Sequence, residues 1–225
     1  MKSSNDPIHD IHHVTRVAGH VQDIATDMGL SERDIEILTI AAWWHDASRA
    51  LTRKSAIWMV LCDDLISAIM LWIYTIRFGV FGSTAGVATR IIWCKNATVG
   101  KIIGKYFLTK RSKLLLDILD DADKLDLINI ERLNIVRDMS ETSLKFRLLY
   151  KWVTTAGVKT TRLHMKTAAA KKYLYTAIKE MLIWIQKQHV YDWHVQKFGQ
   201  AWVTMMTRGL HAWHKLLISQ QTTRL

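Results

Sequence analysis

Residues that interrupt helices are scarce in this 225-residue chain, which has one proline, Pro7, and ten glycines. No Asn-Gly or Asp-Gly pair occurs in it, so the strongest short-range signal of a β-hairpin is missing. Long stretches of Leu, Ile, Ala and Lys remain, and these residues favour helices joined by short turns. The composition therefore predicts an all-α protein, and a hydrophobic content of 49% suffices for a sizeable core.

Cysteines and long apolar runs are also scarce. Cys62 and Cys94 are far apart in apolar stretches, which predicts buried thiols in a reducing compartment rather than a disulfide framework. The uncharged stretch Leu65–Ile76 is shorter than the ~20 residues that span a bilayer, so we expect a buried helix there and no membrane partner. Residues 1–7 lack the apolar core of a signal peptide, from which we expect a cytoplasmic protein.

Acidic residues are few in the C-terminal part. Residues 1–138 hold 17 Lys and Arg against 17 Asp and Glu, whereas residues 139–225 hold 14 against 3, so the net charge of +11 lies entirely there. Such a surface attracts polyanions, although a solvated lysine-rich surface has the same composition. We expect one large domain over residues 1–188 and a basic, Trp-rich helical extension over residues 189–225.

Apolar residues at helical spacing predict the individual helices. The first is expected from about Ile8 to Met28, ended by Gly29, and Ser31 is expected to cap a second helix that leads to His45. These two helices should form an antiparallel hairpin. Four later amphipathic patterns cover Val87–Cys94, Leu114–Ile128, Ser143–Val153 and Thr167–Gln188.

Two histidines and two aspartates are the leading candidates for a functional site. His45 and Asp46 follow the apolar run Ile37–Trp44, and a buried imidazole and carboxylate cost free energy unless they are paired. His13 lies at the edge of the buried face of the first helix, and Asp123 lies in an aspartate-rich helical turn. Together they predict a site for one divalent metal ion, whose identity among Mn, Co, Ni, Fe, Mg and Zn these ligands do not fix.

The order and local contexts of these residues resemble the HD-domain superfamily of metal-dependent phosphohydrolases. The resemblance covers about residues 8–185. It rests on His9-Asp-Ile-His-His13 followed by Arg16-Val17, on Ala41-Ala-Trp-Trp-His-Asp46, and on Asp121-Ala-Asp-Lys-Leu-Asp126. The segment Leu163–Lys171 is similar to the closing segment of small bacterial members that act on nucleotides. The resemblance implies a helical bundle in which His13, His45, Asp46 and Asp123 hold the metal, with Asp121 as the alternative to Asp123.

The resemblance also implies an activity, which is hydrolysis of a phosphate ester or anhydride of a nucleotide or a similar small phosphorylated substrate. Asp46 would ligate the metal and orient the attacking water, while Arg49 and Lys124 would neutralise charge on the phosphate. Arg16 is a further candidate, although a surface cation is the more ordinary interpretation of it. No histidine lies between Asp46 and His164, which favours a single metal ion.

Two departures narrow the substrate class. Arg49 stands where the superfamily's nucleoside monophosphatases usually carry Glu, and the Glu-Asp pair of its guanosine tetraphosphate hydrolases is missing. These differences favour a nucleotide pyrophosphatase or triphosphohydrolase.

Two other functions stay open. A nuclease or nucleic-acid binder would use the basic C-terminal part, where aromatic residues could stack on bases. A non-catalytic sensor or scaffold would dock a partner through Trp193, Trp202 and Trp213, which lie about ten residues, or nearly three helical turns, apart. A homo-oligomer is also possible.

Overall fold

The computed structural model describes residues 10–51, 62–80, 82–95, 100, 102, 104, 106, 108–160 and 163–222. In these ranges the chain forms ten α-helices, one short 3-10 helix and no strand, which confirms the all-α prediction. The N-terminal residues on which the leader prediction and the His9 part of the HD resemblance depend lie outside the described ranges.

The helices form two compact units, divided between Asp126 and Leu127. The first unit contains α1 (Ile11–Asp27), α2 (Glu32–Trp44), the 3-10 helix (Ala47–Leu51), α3 (Asp63–Arg77), α4 (Ser83–Lys95) and nearly all of α5 (Lys110–Leu127). The second contains α6 (Ile130–Thr142), α7 (Leu144–Thr160), α8 (Ala168–Ile185), α9 (Gln188–Phe198) and α10 (Gln200–Thr222). The predicted boundary at residue 188 lies inside the second unit, so packing divides the chain at a different point. The domain extents 1–188 and 189–225 stay predictions.

The α1–α2 hairpin forms as its local sequence predicts. Asp10 caps α1 by accepting a hydrogen bond from the backbone N–H of His13 at 3.0 Å. Gly29 ends the hairpin's first arm with φ of 65°, a left-handed conformation that glycine adopts without steric cost. Ser31 then caps α2, where its hydroxyl accepts from the backbone N–H of Asp34 at 3.3 Å and donates to the Asp34 carboxylate at 2.8 Å.

The remaining helices of the first unit complete its core. Helix α2 packs against α4, and α3 packs against α4 and the 3-10 helix. Helix α5 is tied to α2 near its start, where Arg111 donates a 2.6 Å hydrogen bond to Asp34. The fully buried residues of α5 recur every three or four positions and include Leu115, Ile118 and Leu119.

The stretch Leu65–Ile76 is helical, as predicted, but it is not a buried helix throughout. Ala68 and Leu71 are buried, whereas Trp72 and Ile73 are 58% and 53% exposed. Apolar residues cover both faces of α3, so their periodicity could not distinguish the buried face from the exposed one. None of the described helices is long and apolar enough to cross a membrane.

In the second unit α8 and α10 pack against each other, and α7 packs against both α6 and α10. Helices α7 and α10 approach closely at Gly209, where an added Cβ would clash with Cγ1 of Val158. Buried aromatic side chains keep their polar atoms bonded: Trp184 donates to Asn134 at 3.0 Å, and Trp202 donates to Thr155 at 2.9 Å.

The predicted exposed tryptophan face is not formed. Trp202 and Trp213 are only 7% and 3% exposed, so they belong to the core of the second unit. Trp193 is partly buried and lies in α9, which ends at Gly199 with φ of 87°, whereas the other two tryptophans lie in α10. Because the helix is interrupted between Trp193 and Trp202, a regular spacing in sequence does not place them on one helical face.

Candidate metal centre

Three helices of the first unit contribute to one buried cluster of side chains. His13 lies in the first turn of α1, His45 is the C-terminal cap of α2, and Asp46 follows it directly. Asp123 lies in the penultimate turn of α5. Both imidazoles are fully buried, while the side chains of Asp46 and Asp123 are 11% and 27% exposed. The carboxylates are therefore the side of the cluster that solvent reaches.

The nitrogen and oxygen atoms of these four residues converge on a small volume. The Nε2 atoms of His13 and His45 are 3.3 Å apart. Oδ2 of Asp46 lies 3.2 Å from Nε2 of His13 and 3.6 Å from Nε2 of His45. Oδ1 of Asp123 lies 3.6 and 3.8 Å from the same two nitrogens. The ligand atoms of His13, His45 and Asp123 all lie within 4.8 Å of one another, and this group could hold a metal ion.

Hydrogen bonds at the far side of each ring orient the imidazoles. Nδ1 of His45 lies 2.7 Å from the carbonyl oxygen of Ala42, which can only accept a hydrogen bond. Nδ1 of His13 lies 2.7 Å from Oδ2 of Asp126. Each Nδ1 therefore carries the proton, and in the neutral ring the lone pair of each Nε2 faces the cluster. Lone pairs of two nitrogens and two carboxylates that face one another repel unless a proton or a cation lies between them.

These spacings fit a divalent metal ion. Ligand atoms about 2.0–2.1 Å from an ion lie ~3.3–3.4 Å apart at the corners of a tetrahedron and ~2.9 Å apart at adjacent corners of an octahedron. The nitrogen–nitrogen and nitrogen–oxygen distances in the cluster run from 3.2 to 3.8 Å, so a small contraction around an ion satisfies either geometry. Two imidazoles with two carboxylates suit borderline ions such as Mn²⁺, Co²⁺, Ni²⁺, Fe²⁺ and Zn²⁺ as well as Mg²⁺.

The electrostatic field of the cluster also favours a positive charge. Burial lowers the pKa of His13, but its hydrogen bonds to Asp126 and Asp46 outweigh burial and raise that pKa to about 9. Burial also lowers the pKa of His45, which favours the neutral imidazole that binds metals. Burial opposes ionisation of Asp123, yet the charge of Lys95 and the neighbouring histidines hold its pKa well below the usual range.

A second carboxylate supports His13 from behind. Asp126 is fully buried, accepts from Nδ1 of His13, and also accepts from Nε of Arg16 at 2.5 Å. This arrangement is the carboxylate–histidine support that is common at metal sites, where it fixes the orientation of the ring and raises its basicity. Arg16 thus contacts Asp126 behind the His13 ring.

Lys95 and Asp64 complete the cluster, although the sequence did not single out either residue. Nζ of Lys95 lies 2.8 Å from Oδ2 of Asp123 and 3.7 Å from Oδ1 of Asp64. Burial lowers the pKa of Lys95, but the charges of Asp123 and Asp64 outweigh it, and the net pKa is raised. Burial raises the pKa of Asp64 to about 6. With Asp46 included, three carboxylates face one ammonium, which leaves an excess of two negative charges once all are ionised, the charge that one divalent ion balances.

The other candidates from the sequence lie beside different partners. Arg49 forms an ion pair with buried Asp63, and Lys124 forms one with Asp120 at 2.7 Å. Asp121 is fully buried, but the group that could hold a metal contains Asp123 instead. The geometry therefore favours Asp123 over Asp121 as a ligand, and the phosphate-neutralising roles of Arg49 and Lys124 stay predictions.

Comparison with protein-family models, with curated proteins and with solved structures gives no match for this chain.

Proposed function

We propose that the chain is an HD-type, metal-dependent phosphohydrolase that cleaves a phosphate ester or anhydride of a nucleotide or a similar small substrate. One observation supports this above the others: His13, His45, Asp46 and Asp123, in the sequence order of that superfamily, converge with unshared electron pairs 3.2 to 3.8 Å apart. Such a set needs a proton or a cation between its members, and carboxylates with imidazoles are suitable ligands for hydrolytic metal ions.

The ligands would be His13, His45, Asp46 and Asp123. A divalent ion bound there polarises a phosphoryl oxygen and lowers the pKa of water. Because both imidazoles are buried and both carboxylates are partly exposed, we expect the substrate to approach from the carboxylate side. Asp46 has a second oxygen that can accept a hydrogen bond from the attacking water and so orient it.

Lys95 is a cation that contacts a proposed ligand. Its ammonium group lies 2.8 Å from Oδ2 of Asp123, while Arg49 and Lys124 form ion pairs with Asp63 and Asp120. A fixed positive charge in a buried site stabilises negative charge that develops on a phosphoryl group more than it would in water. The proposal therefore includes Lys95 in the site and does not depend on Arg49 or Lys124.

The proposal is tested by a phosphate-release screen. Metal-free protein reloaded with Mn²⁺, Co²⁺, Ni²⁺ or Mg²⁺ is assayed with nucleoside mono-, di- and triphosphates, with inorganic pyrophosphatase added so that released pyrophosphate is also detected. We expect turnover of a nucleotide that is lost in Asp46→Ala and kept in Asp138→Ala, which removes an exposed carboxylate of the second unit. Metal binding without turnover of any substrate would contradict the enzymatic proposal and favour a sensor or scaffold.

A nucleic-acid-directed activity is a second candidate, because residues 139–225 carry 14 Lys and Arg against 3 Asp and Glu. Including single-stranded DNA and RNA in the same screen distinguishes the two candidates. A binder that contacts several phosphates loses affinity steeply as salt rises, with a slope of about −0.7 per phosphate contact on single strands in a log–log plot. Free-nucleotide turnover with no salt-dependent binding of either polymer would rule out this candidate.

A further inference from the structure

The two oxygens of the Asp123 carboxylate have different surroundings. Oδ1 faces Nε2 of His13 and of His45, at 3.6 and 3.8 Å. Oδ2 accepts a charge-assisted hydrogen bond from Nζ of Lys95 at 2.8 Å. Lys95 is the last residue of α4, and its side chain is 13% exposed. Asp64, in the first turn of α3, lies on a second side of the same ammonium group at 3.7 Å.

We propose that Lys95 is a positioning residue that holds Asp123 as a one-oxygen ligand of the bound metal. This inference rests on the metal site of the proposed function and adds a constraint on how that site binds its ion. A carboxylate can bind a metal through one oxygen or through both. The bond to Lys95 directs Oδ2 toward the ammonium and leaves Oδ1 as the oxygen placed beside the two imidazoles, so coordination positions stay open for water and for a phosphoryl oxygen.

The placement of an ammonium group beside a cation site needs an explanation, because the two positive charges repel. Burial of an ammonium costs several kcal/mol unless it is paired, and Lys95 is paired with carboxylates from α3 and α5. The negative end of the α4 dipole also favours a cation at the last residue. The Lys95 charge weakens metal affinity, and its bond to Asp123 offsets that cost if it keeps the ion accessible.

The number of water molecules that reach the ion tests this directly. Mn²⁺ is paramagnetic, and the relaxation of solvent protons by bound Mn²⁺ increases with the number of water molecules on the ion. A six-coordinate ion with four protein ligands keeps about two open positions, so a second Asp123 oxygen would remove roughly half of the inner-sphere contribution to relaxation. We expect that loss in Lys95→Met, together with tighter Mn²⁺ binding because a neighbouring positive charge is gone.

Two comparisons separate positioning from a loss of charge or packing. Lys95→Arg keeps a donor within reach of Oδ2 and should keep the relaxation of the unchanged protein. Arg90→Met removes an exposed positive charge from the same helix and should change nothing. Unchanged relaxation per bound Mn²⁺ in Lys95→Met would overturn the inference.

A further variant tests the same point without changing Lys95, in case Lys95→Met does not fold. An amide binds a metal through its single oxygen, so Asp123→Asn must be a one-oxygen ligand. If Asp123 already binds through one oxygen, relaxation per bound Mn²⁺ stays the same in this variant. An increase would mean that Asp123 normally binds through both oxygens, and the inference would be wrong.

These measurements use Mn²⁺ alone and require no substrate. Mn²⁺ binding with the expected relaxation but without phosphate release would refute the proposed activity and leave the role of Lys95 standing. Failure of the unchanged protein to bind Mn²⁺ would refute the inference on Lys95, and failure to bind any of Mn²⁺, Co²⁺, Ni²⁺ and Mg²⁺ would refute both.

Discussion

Asp126→Asn is the substitution that most directly tests how the site holds its ion. The Asp126 carboxylate accepts from Nδ1 of His13 at 2.7 Å and from Arg16 at 2.5 Å, and it is fully buried. Asparagine has nearly the same shape but no charge, so His13 loses the partner that raises its basicity and Arg16 loses its counter-ion. Changes of this kind behind a metal ligand typically weaken metal binding about 10- to 100-fold, or by ~1.4–2.7 kcal/mol.

The assay is a calorimetric titration with Mn²⁺, accompanied by circular dichroism to establish that the variant is folded. Asp120→Asn is the matched control on the same helix, because it removes a partly exposed ion pair with Lys124 that contributes up to about 1 kcal/mol. Adding Arg16→Met to Asp126→Asn removes the uncompensated charge. We expect the double variant to regain stability without regaining full Mn²⁺ affinity.

A folded Asp126→Asn protein that binds Mn²⁺ as tightly as the Asp120→Asn control would refute this reasoning. Asp126 would then serve only to neutralise Arg16, and the orientation of the His13 ring would have to come from packing around α1. Equal affinities in the single and double variants, both below that of the control, would instead show that support of His13 accounts for the whole effect.

Three further predictions concern stability and reactivity. Gly209→Ala should lower the free energy of unfolding by about 1–3 kcal/mol through overpacking between α7 and α10. Gly157→Ala, with nothing within 4 Å of the added Cβ, should be neutral or stabilising by up to about 1 kcal/mol. Denaturant titration measures the free energy of unfolding of both variants. Burial lowers the pKa of fully buried His194 to about 4, against about 6.5 in the unfolded chain. As the pH drops from 6.5 to 4, the unfolded state therefore binds a proton that the folded state does not, and the free energy of unfolding falls by up to ~3 kcal/mol. In His194→Phe the free energy of unfolding should depend less on pH across that range. A pH dependence identical to that of the unchanged protein would contradict this account. Cys94 is 4% exposed and burial raises the pKa of its thiol, so a thiol reagent should modify it only after denaturant is added; rapid modification of the folded protein would show that it is accessible.

Local sequence predicted the helices well because their signals are local. Gly29 and Ser31 specify the α1–α2 turn through backbone conformation and capping, which depend on residues at most a few positions away. The pairing of His45 with Asp46 after an apolar run depends likewise on neighbours in sequence. Periodicity could not identify the buried face of α3, where both helical faces are apolar. It also could not locate the break at Gly199, which separates Trp193 from the other two regularly spaced tryptophans.

The cations of the site show most clearly where sequence reasoning reached its limit. Lys124 is adjacent to Asp123 in sequence, but successive residues of an α-helix point about 100° apart, so it pairs with Asp120, which lies one turn earlier on its own face. Lys95 lies at the end of a different helix, and only the packing of the first unit brings it to Oδ2 of Asp123. Proximity in sequence to a ligand therefore says little about which charge faces the ion, because helical geometry turns neighbouring side chains apart and tertiary packing brings distant ones together. For this site the buried positive charge beside Asp123 comes from α4, and the experiments on Lys95 test its proposed role independently of any substrate.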